Sequence, residues 1–234
     1  MAFDPNSEKY KPKNNNKVLP VVLLLDVSGS MKYDNKIGKL YEATKTMIKT
    51  FVDLELKEKT IDVAIITFGA QVLQHTPMTS VKNISSLEPF CAGGGTPLGE
   101  ALEMAKDMMD DTTILQKGKI YKPAVIVVSD GRPDSGWKKG FASFETGDRA
   151  SKSQRFAVAI GNDRDEEMLT LFTKNKDNVF YAETAEEIAD KLEEISTHIS
   201  MRAASGTPND IPQAEGVKYD NENISSFTEE DEYV

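Results

Sequence analysis

The chain has 234 residues, 39% of them hydrophobic, with a formal net charge of -10 and a pI near 4.9. That length can bury a substantial core in one domain, while the acidity argues against non-specific binding to nucleic acid or to an anionic membrane, since both require a basic face. The acidity leaves proteins or cations as the expected partners, and the single cysteine, Cys91, excludes an intrachain disulfide and the Cys-rich zinc sites.

In chain order, residues 1–17 read as a polar N-terminal arm without the apolar segment of a secretory signal, and no stretch approaches a membrane span, so a cytoplasmic location is expected. Strands are predicted at Val18 to Asp26, Ile61 to Phe68, Gln71 to His75, Pro123 to Ser129, Arg155 to Ile160 and Val179 to Tyr181. Several are unbroken apolar runs, the pattern of a parallel sheet covered on both faces. Phe68-Gly69-Ala70-Gln71 reads as a hairpin turn, which makes the short strand after it antiparallel and places it at an edge.

Between the strands, Ile37, Leu40, Tyr41, Thr44, Met47, Ile48, Phe51 and Val52 share one helical stripe, and Leu98, Ala101, Leu102, Ala105, Met108 and Met109 share another. Glu55, Lys57, Glu58 and Lys59 read as a solvated helix end. A shorter helix is predicted over Glu166 to Phe172. The last begins at Thr184, with Glu187 three residues on as a capping box, followed by Ile188, Leu192, Ile195 and Ile199. The alternation predicts an α/β fold: a doubly wound, mostly parallel six-stranded sheet with helices on both faces and one short antiparallel edge strand. Residues 18–202 form the domain. Residues 203–234 hold eight acidic residues and one lysine, a net of -7 of the total -10, and read as an acidic, flexible tail.

Three places carry chemistry. Asp26-Val27-Ser28-Gly29-Ser30 closes the first strand, presenting one carboxylate and two hydroxyls, hard oxygen donors suited to Mg2+ or another small divalent cation. Gly93-Gly94-Gly95-Thr96-Pro97 leads into a helix, with Thr96 expected at the N-cap and Pro97 as the first helical residue. Asp130 ends the apolar run Ala124 to Val128 and opens the turn Asp130-Gly131-Arg132-Pro133. Carboxyl ends of strands are where open α/β sheets bind ligands.

Other features read more plainly. The glycine run lacks the Gly-Lys-[Ser/Thr] ending of a phosphate loop. His75 and His198 read as a strand-edge and a helix-surface histidine, and Cys91 has no histidine partner in its motif. Trp137 is expected in a loop on the face of the strand-end site, as a local anchor or, with Arg132, as a partner contact.

Asp26, Ser28, Ser30, Thr96 and Asp130, in that order and setting, resemble the von Willebrand factor A domains, whose metal-ion-dependent adhesion site has Asp-x-Ser-x-Ser after the first strand, a Thr in a second loop, and Asp-Gly after the fourth strand. The resemblance covers residues 18 to 200. Leu-Pro-Val-Val-Leu-Leu-Leu-Asp and Gly-Gly-Gly-Thr-Pro-Leu-Gly are similar to the bacterial, tellurite-resistance-associated branch. It implies a non-catalytic module that binds a Glu or Asp of a partner protein through a divalent cation, Mg2+ foremost and Mn2+ or Ca2+ as alternatives. A kinase or phosphatase of a stress-response or phosphorylation-signalling operon is the implied partner. The rival reading is a metal-dependent hydrolase or phosphatase using the same site. Ser28 stands where aspartyl-phosphate enzymes carry a second carboxylate, and no histidine falls in the site loops. The tail's carboxylates offer a third idea, occupancy of the metal by the chain itself, against the plainer reading of a solubilising or tethering end.

Overall fold

The apolar run at the start of the chain becomes the centre of a sheet. β1, Val18–Asp26, pairs in parallel with β2, Thr60–Phe68, on one side and with β4, Ala124–Ser129, on the other. Every residue of β1 from Leu19 onward is buried: the apolar run, as a strand covered on both faces must be, and Asp26 at its carboxyl end with it. β3, Val72–Ser80, β5, Gln154–Ile160, and β6, Val179–Ala182, complete the order β3-β2-β1-β4-β5-β6. Among the described residues only the β2–β3 pairing is antiparallel. The computed structural model describes residues 17–55 and 60–211. The charged run after Glu55, most of the N-terminal arm and residues 212–234 of the acidic tail lie outside the described residues.

Side chains of β1 alternate between two cores. Val21, Leu23 and Leu25 meet α1, Lys36–Glu55, and α5, Glu187–Ala204, through Leu40, Met47, Phe51, Leu192 and Ile195. Val22 and Leu24 face α2, Leu98–Asp110, α3, Trp137–Thr146, and α4, Glu166–Thr173. Each fully buried Leu, Ile or Phe adds about 1.5 to 3 kcal/mol. The chain leaves β1 toward β2 and leaves β4 toward β5, so the strand order reverses between β1 and β4. Their carboxyl ends therefore flank the switch-point crevice.

Several boundaries differ from the expectation. β3 does not stop at His75 but runs to Ser80 through Pro77, tolerated because an edge strand leaves one side unpaired. α2 begins at Leu98, with Pro97 rather than Thr96 in the cap position. Thr96 is drawn out of the helix because its N–H donates to Asp134 Oδ1 (3.2 Å) and its carbonyl accepts from Asp134 N–H (3.0 Å). Glu187 does cap, taking the Glu183 N–H (3.0 Å) and the Thr184 hydroxyl (3.3 Å), but α5 starts at Glu187 itself. Trp137, expected in a loop, is the first residue of α3. Beyond residue 202 the chain stays against the domain as far as it is described: Asn209 Oδ1 accepts from Lys122 N–H (2.8 Å), and Arg202 Nη2 donates to the Lys122 carbonyl (2.8 Å).

Candidate metal centre

Asp26 is the last residue of β1, and the loop after it folds straight back. The Ser28 N–H donates to Asp26 Oδ1 at 2.7 Å, a turn that aspartate favours. Asp26 Oδ2 accepts the Ser129 hydroxyl at 2.5 Å, so the end of β4 is tied to the end of β1. Ser28 and Ser30 share a hydrogen bond at 2.9 Å, Ser30 donates to Asp130 Oδ1 at 2.6 Å, and Lys36 Nζ donates to Asp130 Oδ2 at 2.8 Å. Four of the five candidate residues, Asp26, Ser28, Ser30 and Asp130, thus lie in one cluster where two strand-end loops meet.

Thr96 reaches the same end of the sheet through backbone. The Gly93 N–H donates to the Val27 carbonyl (2.7 Å), and the Gly29 N–H donates to the Gly94 carbonyl (3.0 Å), stitching the glycine loop to the Asp26–Ser30 turn. Gly94 has φ +81, and a Cβ there would stand 2.3 Å from Ala70 Cα, so this position requires glycine twice over. On its other side Thr96 is held by Asp134 of the loop after β4. Here α2 and α3 cross at glycine on glycine: a Cβ on Gly140 would stand 2.2 Å from the Gly99 carbonyl oxygen.

Burial governs the electrostatics. Asp26 is fully buried, Ser28 is 2% exposed and Asp130 4% exposed. Desolvation pushes the Asp26 carboxyl above the ordinary carboxylate range, and the nearby Asp130 charge pushes the same way, against hydrogen bonds from Ser129 and Ser28 that favour the ionised form. Two buried carboxylates side by side, with hydroxyls between them, form an oxygen-only donor set that fits a hard divalent cation. Among the described residues no three His, Cys, Asp or Glu side chains gather in a metal-binding group, so a cation here depends on the hydroxyls.

The remaining candidates fall elsewhere. Arg132 is exposed on the loop after Asp130. Trp137 is half-buried, its ring centroid 6.1 Å from that of Phe141, as in the anchoring role. His75 lies on the edge strand against Phe90, at 5.0 Å, and His198 lies on α5 edge-on to Phe156 and Phe180. Cys91 is exposed. Three participants escaped the sequence reading: Ser129, Lys36 and Asp134. Ser129 directly precedes Asp130, and alternation gave it to the sheet. Asp134 sits four residues past Asp130, in a segment read as a loop on the face of the site, with Trp137 rather than Asp134 singled out. Lys36 directly precedes the helical stripe that starts at Ile37, and nothing in its sequence neighbourhood ties it to Asp130.

The von Willebrand factor type A domain pattern matches residues 21–197. No curated protein matches the chain. Among solved structures, proximal thread matrix protein 1 of the mussel byssus, with a zinc-occupied MIDAS motif, is similar over 77% of this chain and 48% of its own, at 17% identity and a TM-score of 0.63. The pilus adhesin SpaC of Lactobacillus rhamnosus GG matches 80% of this chain and 31% of its own, at 15% identity and a TM-score of 0.64. The vWF domain of the type V pili tip protein Mfa5 of Porphyromonas gingivalis matches 84% and 98%, at 12% identity and a TM-score of 0.60. The chain spans less than half of the mussel and Lactobacillus proteins, and at these identities the likeness is one of fold. No helix among the described residues is long and apolar enough to cross a membrane.

Proposed function

Because the chain belongs to the von Willebrand factor type A domain family, we propose that it is a non-catalytic docking module that holds an acidic residue of a partner protein through a divalent cation. The observation that carries this reading is the Ser28–Ser30–Asp130 hydrogen-bond chain beside the buried Asp26, at the switch point of the sheet. Ser28, Ser30 and Thr96 would hold the cation directly, with Asp26 and Asp130 acting partly through water. Such a neutral inner set leaves most of the ion's charge uncompensated, and the bound ion then supplies Lewis acidity toward an incoming carboxylate. Mg2+ suits the mostly hydroxyl set, with Mn2+ or Ca2+ as alternatives.

The chain's own groups perform the rest. Ser129 and the Ser28 N–H fix the Asp26 carboxylate in one orientation. Arg132, exposed beside the site, supplies charge complementarity to an acidic partner. Both histidines pack against phenylalanine rings, which favours docking over acid-base chemistry. The mussel protein's zinc-occupied motif supports a cation at this kind of site. The phrases that resemble the tellurite-resistance-associated branch support a cytoplasmic setting in a bacterial stress response, with a kinase or phosphatase as partner.

The test is capture of binding partners with and without EDTA, comparing wild type with the Ser28→Ala/Ser30→Ala double variant. A partner lost under both treatments supports the reading. Retention of every partner in both overturns it.

A further inference from the structure

The turn between the Asp26–Ser30 motif and α1 has an unusual backbone. Asp34 and Asn35 both lie in the left-handed region, with φ 52 and 53, after an extended Tyr33. Two successive left-handed residues without a glycine are unfavourable and need a surrounding structure that holds them. Asn35 supplies part of that hold. Its side chain lies over the first turn of α1, where a Cβ on Gly38 would stand 2.4 Å from Asn35 Oδ1.

The consequence of this turn is the position of Lys36. As the first residue of α1 it points back into the site and places its ammonium 2.8 Å from Asp130 Oδ2. The Lys36 side chain is 18% exposed and that of Asp130 is fully buried, so this is a sheltered ion pair rather than a surface one. The other three carboxylate oxygens of Asp26 and Asp130 are met by neutral donors: the Ser28 N–H, the Ser129 hydroxyl and the Ser30 hydroxyl. Two carboxylates and one ammonium leave the cluster at a formal charge of -1. A divalent cation added with the ammonium in place would turn that to +1, with two positive charges sharing Asp130 in a sheltered site.

We infer that Lys36 is a built-in competitor for the divalent cation: its ammonium neutralises Asp130 and withdraws when a metal ion binds beside Ser28 and Ser30. Lys36 thereby sets the metal affinity, and the strained Tyr33–Asn35 turn positions it. Withdrawal frees the first residue of α1, so metal binding is felt at that helix. This inference rests on the docking reading, because it assigns the same residues to a cation.

Two measurements on the full chain test it. In Mn2+ titrations by calorimetry, Lys36→Met is expected to bind roughly ten-fold tighter than wild type or better, because one competing charge is gone. In amine acylation followed by mass spectrometry, the Lys36 label is expected to rise when Mn2+ is added, while the other lysines stay constant. Equal or weaker Mn2+ binding by Lys36→Met, with binding still lost in Ser28→Ala/Ser30→Ala, overturns the competitor and leaves the docking reading standing. Absence of Mn2+ binding in both wild type and Lys36→Met overturns both. Should Lys36→Met fail to fold, the acylation of wild type decides alone, and an Mn2+-independent Lys36 label overturns the inference.

Discussion

The two ends of the sheet each bury a cluster of charge, and the clusters differ in how completely they are answered. At the amino end of β5, Arg155 pairs with Glu145 of α3, which also accepts from Lys174 just past α4. The same guanidinium donates to the carbonyls of Phe172, Ala150 and Ser151, and lies 4.9 Å from the ring centroid of Phe144. Both Glu145 oxygens and both terminal nitrogens of Arg155 are engaged, so this cluster is closed. At the carboxyl end the carboxylates of Asp26 and Asp130 outnumber the one ammonium, and the hydroxyls of Ser28 and Ser30 keep lone pairs available for a ligand. A closed cluster works as scaffold, and an unbalanced one is suited to take a ligand.

The largest effect that can break this comparison belongs to the closed end. Arg155→Ala leaves Glu145 with half its partners and removes a donor from the carbonyls of Phe172, Ala150 and Ser151, of which Ala150 keeps Ser153, and breaking a buried pair costs about 3 to 5 kcal/mol. Urea unfolding followed by circular dichroism is expected to show that loss. A fall below about 1 kcal/mol would mean that the amino-end cluster is no more structural than a surface pair.

A smaller and opposite pattern is expected at the open end. Wild type is expected to gain about 2.7 kcal/mol of stability at a divalent-cation concentration roughly 100 times the dissociation constant, because the ion binds the folded state alone. Ser28→Ala/Ser30→Ala is expected to lose that gain while keeping most of its metal-free stability. Thermal unfolding with and without Mg2+ reads both. Equal metal-induced shifts in the two proteins would remove the hydroxyls from the site.

Beside the open end stands the α2–α3 crossing, which holds the Thr96 loop against the loop after β4. Gly140→Ala places a methyl group 2.2 Å from the Gly99 carbonyl oxygen, so the helices must separate. Such overpacking costs about 1 to 3 kcal/mol, less the better helix propensity of alanine. Metal affinity is expected to fall with it, because the Thr96 carbonyl and the Asp134 N–H would part. A stability loss with unchanged Mg2+ affinity would show that Thr96 is not needed.

The same contrast explains what could be read in advance. The sheet, its one antiparallel edge and the four main helical stripes follow from apolar period, which tertiary packing reinforces. Asp26, Ser28, Ser30 and Asp130 were legible because each stands at the visible end of an apolar run or one turn beyond it. α3 was not, although Trp137, Phe141 and Phe144 keep helical spacing, because Gly136 and Gly140 read as loop punctuation. Gly140 marks a close crossing on Gly99, a fact about two segments that one segment cannot reveal. Lys36 was hidden for a similar reason: its role depends on two left-handed residues before it and on a carboxylate ninety-four positions away.

The smallest effect separates the two residues nominated as partner contacts. Trp137 is anchored on Phe141, so its replacement by alanine is expected to cost stability before it touches binding. Arg132 is exposed on the loop after Asp130. Arg132→Ala is therefore expected to leave stability within about 0.5 kcal/mol. Its affinity for an acidic partner is expected to fall by roughly 1 kcal/mol, chiefly through slower association, as for a rim charge. Surface plasmon resonance at two salt concentrations separates these contributions: wild type should lose association rate as salt rises, and Arg132→Ala should lose less. Parallel salt dependence in the two would leave the metal site as the electrostatic feature the partner reads.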